Sequence, residues 1–237
     1  MADLRPHLCH HLRLAAAKEG NRRADVAYLR MFAEGLRTSQ AAHVGRARAR
    51  AVMALALLVC AATAQAQDFD FEAGAEGWEP VIGQWAVEGG RYLQTDASTP
   101  AYRMSLVGEP WEQGSIEADA TPLSENHNGN VGASFGLVVK HVDGEHWCAA
   151  RFGSYGRCSL RIVGAEVGVL NLGTCLPDPG ATYHPKVILR GGLIAIVLDG
   201  AVMGIFHDPF PAQPGRPGLF TETECAFDNV HIEGGAQ

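Results

Sequence analysis

The sequence predicts an all-β fold, a sandwich of short antiparallel strands. Three observations carry that expectation. The C-terminal 170 or so residues hold no run of 12 residues with helical periodicity that a glycine or proline does not break. Short alternating or β-branched runs recur there instead. Many of the chain's 28 glycines and 12 prolines fall at the breaks between those runs.

The elements follow in order. "GQWAVEGGRYLQT" reads as two strands joined by a turn at Gly89-Gly90. In "GSIEADAT", Ile116, Ala118 and Ala120 share one face and Glu117 and Asp119 the other. "VGASFGLVVKHVDGEHWCAARF" breaks at Asp143-Gly144, a hairpin signal, and "HWCAARF" and "RCSLRIV" flank a turn at 153–156. "YHPKVILRGGLIAIVLDGAVMGIF" divides into three strands at Gly191-Gly192 and Asp199-Gly200. The last segment, "CAFDNVHIEG", places Asp228-Asn229, both poor strand formers, in mid-strand. About 170 residues suit one domain with one core.

The start of the chain has a different character. Residues 51–67, "AVMALALLVCAATAQAQ", are an apolar run ending in Ala64-Gln65-Ala66, preceded by Arg46, Arg48 and Arg50. A basic flank, a short apolar stretch and an A-x-A end describe a signal helix for secretion, too short to span a bilayer. The organisation expected is therefore a basic extension over 1–52, a hydrophobic signal and cleavage site over 53–66, and a β-sandwich over 67–237. Met31 offers an alternative start that would make the extension a long basic n-region; an uncleaved anchor behind a cytoplasmic extension is the other reading.

Of the chain's 19 Lys/Arg and 26 Asp/Glu, residues 1–52 hold 10 and 4; the expected mature part keeps 9 and 22, a net charge of −13. Such a field repels nucleic-acid backbones and acidic lipid and attracts cations. Cys148, Cys158, Cys175 and Cys225 remain in that part. An even number in a secreted or periplasmic protein implies two disulfides, in any of three connectivities.

Three stretches carry a family resemblance: "DFDFEAGAEGWEPVIGQWAVEGGRYLQT", "VILRGGLIAIVLDGAVM" and "GRPGLFTETECAFDNVHIEG". In order they resemble the first hairpin, the paired strands around a Leu-Asp-Gly turn, and the terminal strand of the concanavalin A-like (laminin-G-like) jelly-roll superfamily. The nearest branch resembles secreted bacterial domains similar to glycoside hydrolase family 16 and the 3-keto-disaccharide hydrolase-like group. The resemblance implies a jelly-roll β-sandwich and a structural calcium, with Asp228 as the carboxylate and backbone carbonyls near Asp70 and Gly90 as further oxygen ligands. The alternative for Asp228 and Asn229 is hydrogen bonding that pins the two chain ends together.

Family 16 enzymes carry their acids as E-x-D-x-x-E. Glu117 and Asp119 match the first two positions, but Pro122 stands at the third, where no carboxyl can protonate a leaving group. Glu125, Asp143 and Glu145 complete the pool of acids. His141 and His146 straddle a turn without metal spacing, and no G-x-S-x-G, P-loop or H-E-x-x-H is present. Trp85 and Trp147 are expected in the core; Trp111, in "GEPWEQG", and Tyr155, in a turn, are expected at the surface as ligand-stacking residues. The leading expectation is a secreted, non-catalytic carbohydrate-binding or adhesion domain whose partner is a glycan or envelope polysaccharide. A glycoside-processing hydrolase with scattered acids and a structural envelope protein are the alternatives.

Overall fold

The computed structural model describes residues 65–96, 102–125, 132–165 and 168–235. The expectations for the basic extension and most of the signal fall outside these residues. Among the described residues no helix is long and apolar enough to cross a membrane.

Two antiparallel sheets form a sandwich. The first runs β13 (Ala201–His207), β12 (Leu193–Leu198), β11 (Pro185–Arg190), β6 (Gln113–Pro122), β15 (Cys225–Gly235), β4 (Arg91–Gln94), β3 (Trp85–Glu88), with β1 (Gln65–Phe69) also paired to β15. The second runs β10 (Val169–Thr174), β9 (Arg157–Val163), β8 (Trp147–Phe152), β7 (Phe135–His141), β14 (Arg216–Thr221), β5 (Arg103–Val107), β2 (Trp78–Ile82).

Turn chemistry explains the hairpins. Gly89 and Gly90 have φ of 58° and 72°, and Asp199 and Gly200 have 48° and 78°. Positive φ at both central residues is what a two-residue hairpin turn demands. Asp143-Gly144 behaves differently. The β7–β8 connection is longer: Val142 N–H bonds His146 O at 3.0 Å, and Asp143 Oδ1 accepts the Glu145 and His146 amides at 2.8 Å each. The aspartate side chain substitutes for part of the turn's backbone.

The main core lies between the sheets. Ile116, Val187, Ile196 and Phe227 from the first meet Leu137, Phe152, Leu160 and Leu219 from the second. Burial of this kind stabilises by roughly 25 cal/mol per Å² of apolar surface. A buried ion pair ties the loop after β13 to β7: Lys140 Nζ sits 2.6 Å from Asp208 Oδ2 and donates to Phe210 O at 3.0 Å.

The interruption in the last strand is a β-bulge. Asp228 pairs with Asp119 and His231 with Glu117, so three steps along β15 match two along β6. Asn229 has φ 47°, and its amide N–H donates to Asp228 Oδ1 at 2.7 Å. Asparagine tolerates that left-handed conformation better than most residues.

Candidate functional site

Strand periodicity sorts the expected site residues onto faces. Glu117 and Asp119 point away from the core on the outer face of the first sheet. There Glu117 pairs with Lys186 at 2.9 Å, and Asp119 binds His184 Nδ1 at 2.6 Å and Asn229 Nδ2 at 2.9 Å. Pro122 is buried inside β6 against Cys225, so the strand itself offers no third acid. Glu125 is exposed just beyond β6, and Asp143 and Glu145 lie in the β7–β8 turn. Backbone and His146 hydrogen bonds hold the Asp143 carboxyl below its usual range. The described residues thus leave these acids dispersed.

Trp111 corrects its expectation. It is 3% exposed, bridges to Gly215 through the backbone, and donates its indole N–H to Val139 O at 2.9 Å. Room for the ring comes from Gly114 and Gly234, at each of which a Cβ would lie 2.4 Å from it. The indole is therefore unavailable for stacking on a ligand. Tyr155 is 59% exposed, as expected of a turn residue.

The residues named for calcium occupy two neighbouring places. Asp228 Oδ1 is engaged by the Asn229 amide. Asp70 Oδ1 accepts the Glu72 N–H at 3.2 Å, and the Glu72 carboxylate abuts Gly90. Among the described residues no three His, Cys, Asp or Glu side chains gather as a metal set; a site built on carbonyls and one carboxylate is a separate matter. The two expected disulfides are not formed: Cys148, Cys158, Cys175 and Cys225 are all thiols.

The constellation with the most chemistry lies on the outer face of the second sheet, and it includes Trp147, buried as expected but in a second apolar cluster. Along β8, Cys148, Ala150 and Phe152 face the main core, whereas Trp147 and Ala149 join a separate apolar cluster with Met104, Leu106, Val138 and Phe220. Tyr102, just ahead of β5, lays its ring nearly parallel to Phe220 (11°, centroids 6.1 Å) and 4.9 Å from Trp147. The Arg161 guanidinium lies over both rings, 5.3 Å from Tyr102 and 5.5 Å from Trp147.

A polar network adjoins it. Arg151 donates to Glu222 Oε1 at 3.0 Å and to Ser159 Oγ at 3.2 and 3.1 Å. Ser154 Oγ donates to Glu222 Oε2, and Arg161 approaches Glu222 Oε1 at 4.0 Å. Arg151 and Glu222 are buried; the Arg161 side chain is 33% exposed. The β-ladders explain the grouping. Arg151 pairs with Ser159 on one side and with Gly136 on the other, and Gly136 in turn pairs with Phe220, two residues before Glu222. Tyr155 directly follows Ser154 at the rim. Among the described residues Glu222 is the only carboxylate hydrogen-bonded into this cluster. At the surface the arrangement offers the half-buried Tyr102 ring and the partly exposed Arg161 guanidinium, with Trp147, Phe220, Arg151 and Glu222 buried beneath them.

Sequence reasoning missed Arg151, Arg161, Glu222 and Tyr102. The one local trace is that "HWCAARF" carries Arg151, and "RCSLRIV" Arg157 and Arg161, among largely apolar strand residues.

No protein-family model matches the chain. A curated relative, an extracellular exo-alpha-L-arabinofuranosidase of Streptomyces chartreusis, is 30% identical over 140 residues, 56% of this chain. The chain matches only 16% of that relative's length. Among solved structures, the carbohydrate binding module CBM66 from Bacillus subtilis superposes with a TM-score of 0.54 at 20% identity, over 67% of this chain and 96% of that one. The Crh5 transglycosylase gives 0.56 at 13% identity, over 73% and 85%. The Bacillus licheniformis beta-glucanase gives 0.50 at 14%, over 73% and 99%. At these identities the likeness is one of fold.

Proposed function

We propose that this jelly-roll β-sandwich is an exported, non-catalytic carbohydrate-binding domain whose glycan lies on the outer face of the second sheet. One observation carries this reading: Glu222 is fixed by Arg151 and Ser154 beside the Tyr102–Trp147 rings, with Arg161 stacked on those rings and open to solvent. A sugar presents an apolar face of C–H groups and a rim of hydroxyls. The first suits the Tyr102 ring, and the second suits the Arg161 guanidinium. Tyr102, Arg161 and Tyr155 would touch the ligand; Arg151 and Glu222 would position Arg161 from beneath.

A binding role fits the acids better than hydrolysis does. Hydrolysis by the common mechanisms needs two carboxyl groups, about 5–5.5 Å apart for retention or 6.5–9.5 Å for inversion. Among the described residues Glu222 stands alone in its cluster, while Glu117 and Asp119 are paired to Lys186 and His184 on the opposite side of the sandwich. The partial match to an extracellular arabinofuranosidase supports export and a sugar-directed role.

The test is titration against a polysaccharide panel, including arabinose-containing glycans, scored for both binding and release of reducing sugar. Binding without release is expected. Tyr102→Ala and Arg161→Ala should each weaken it about tenfold, on the scale of one aromatic or cation–π contact. Glu117→Gln and Asp119→Asn should leave it unchanged. Release of sugar that drops about 100-fold in the Glu117 or Asp119 variants would establish the hydrolase reading instead.

A further inference from the structure

The four cysteines of the sandwich are not equivalent. Cys158 on β9 pairs in register with Gly173 on β10. Two residues on, Cys175 N–H bonds Gly156 O at 2.9 Å, which makes Cys158 and Cys175 diagonal neighbours across one ladder. Cys175 follows Gly173 by two residues, so by strand alternation its side chain lies on the same face of the ladder as that of Cys158. Cys158 is fully buried, whereas Cys175 is partly open to solvent.

Cys148 and Cys225 stand apart. Tyr183 bonds the backbone of Ala120 and stacks 5.1 Å from Phe135, whose register partner is Phe152. Cys225, paired with Pro122, therefore lies toward the Phe152 end of β8. Cys148 is four residues away along that strand, about 13 Å at 3.3 Å per residue. Disulfides need Cα atoms within about 7 Å. Cys148 pairs with Ile162, which separates it from Cys158 by the same four steps.

We propose that Cys158 and Cys175 form a single disulfide on export, while Cys148 and Cys225 remain buried thiols. The exchange begins at Cys175, the accessible sulfur. The Cys158 thiol and, more weakly, the Gly153 amide donate to it and push its thiol below the usual value against the effect of burial. As thiolate it attacks one sulfur of a small or protein disulfide, RSSR, forming Cys175–S–S–R and expelling RS⁻. Cys158 then gives up its proton and attacks the Cys175 sulfur, expelling the second RS⁻. Two protein thiols are oxidised, RSSR is reduced to two RSH, and both protons leave with them. The bond closes the β9–β10 hairpin beside the 3-10 turn Ser154–Gly156, whose Gly156 carbonyl Cys175 already holds. This pairing does not depend on the glycan-binding reading.

Mass mapping decides it. The full-length protein is incubated with oxidised glutathione, alkylated while folded, then digested without reduction. A Cys158–Cys175 linked peptide is expected, with Cys148 and Cys225 alkylated only after unfolding. Dithiothreitol should lower the thermal midpoint of the oxidised protein by about 5–10 °C, the scale for a loop of this size in a domain of this length. Cys175→Ser should abolish that response. A disulfide containing Cys148 or Cys225, or free alkylation of all four cysteines after oxidation and unfolding, would overturn the proposal.

Discussion

The side-chain amide of Asn229 donates to Asp119 Oδ2 at 2.9 Å across the β15–β6 ladder, at the point where β15 carries one residue too many. The bulge is thus closed by its own extra residue. Asn229 supplies both the left-handed backbone and the cross-strand bond, and His184 holds the other Asp119 oxygen. This explains the polar pair in the middle of the last strand.

Asn229→Gly keeps the permitted backbone and loses the bond to Asp119, so a cost of about 0.5–1.5 kcal/mol is expected. Asn229→Val adds a β-branched side chain at φ 47° and should cost about 1–3 kcal/mol more. Urea unfolding of both variants checks the order; Val equal to Gly would mean that the bulge relaxes without strain.

Asp228 separates two roles. If its carboxylate binds calcium, chelation lowers the thermal midpoint of the wild type, and Asp228→Ala abolishes the response. A metal at a hundredfold excess over Kd contributes about 2.7 kcal/mol. If it serves the bulge alone, Asp228→Ala costs about 1–3 kcal/mol for the Asn229 amide left unpaired, and chelator leaves the wild type unmoved. The bond from Asn229 N–H to Asp228 Oδ1 favours the second outcome.

Arg151 and Glu222 are 7% and 8% exposed, so removing one strands the other. Arg151→Met should destabilise by about 3–5 kcal/mol, with Arg161 at 4.0 Å too distant to compensate fully. The double variant Arg151→Met/Glu222→Leu should recover much of that loss. Chemical denaturation of the three proteins measures the coupling, and additive losses would disprove it.

His231 makes β1 sensitive to pH. Its Nδ1 lies 2.5 Å from Asp68 Oδ1. That hydrogen bond raises the imidazole above its usual value, burial opposes it, and the charges of Asp68, Glu117 and Glu233 reinforce the rise. A raised value means that the contact contributes fully below about pH 6.5, the unfolded value, and is lost as pH climbs through the folded one. Hydrogen-exchange protection factors in β1 should fall over that interval, and His231→Gln should flatten the profile. Protection that instead grows with pH would contradict the assignment.

Much of the fold was legible because local chemistry forces it. Gly89-Gly90 and Asp199-Gly200 admit few conformations besides a tight hairpin, and Ile116/Ala118/Ala120 against Glu117/Asp119 fix which face of β6 is buried. The site was not legible, because its contacts are remote in sequence and its strand lacks a polar face. Arg151 and Glu222 are 71 residues apart. Apart from Arg151, "HWCAARF" is apolar on both sides, so Trp147 reads as core, as its burial bears out, but nothing in the stretch says that it packs in the second cluster rather than between the sheets. Trp111 does mislead: the Glu-Pro before it and the Glu after it look like surface, yet the ring is buried over Gly114 and Gly234.

The pairing of β1 with β15 places Gln65 opposite Gly234, so the strands that open and close the sandwich meet at one point. Antiparallel partners stand about 4.5–5.5 Å apart, a gap that a few residues bridge with little loop entropy. Such a unit can be spliced into a surface loop of another protein without prising that loop apart. It can equally be circularly permuted, with a short linker joining 234 to 65 and new ends opened at Asp199-Gly200. Either way the described strands behave as a cassette, entered and left at one corner of the sandwich.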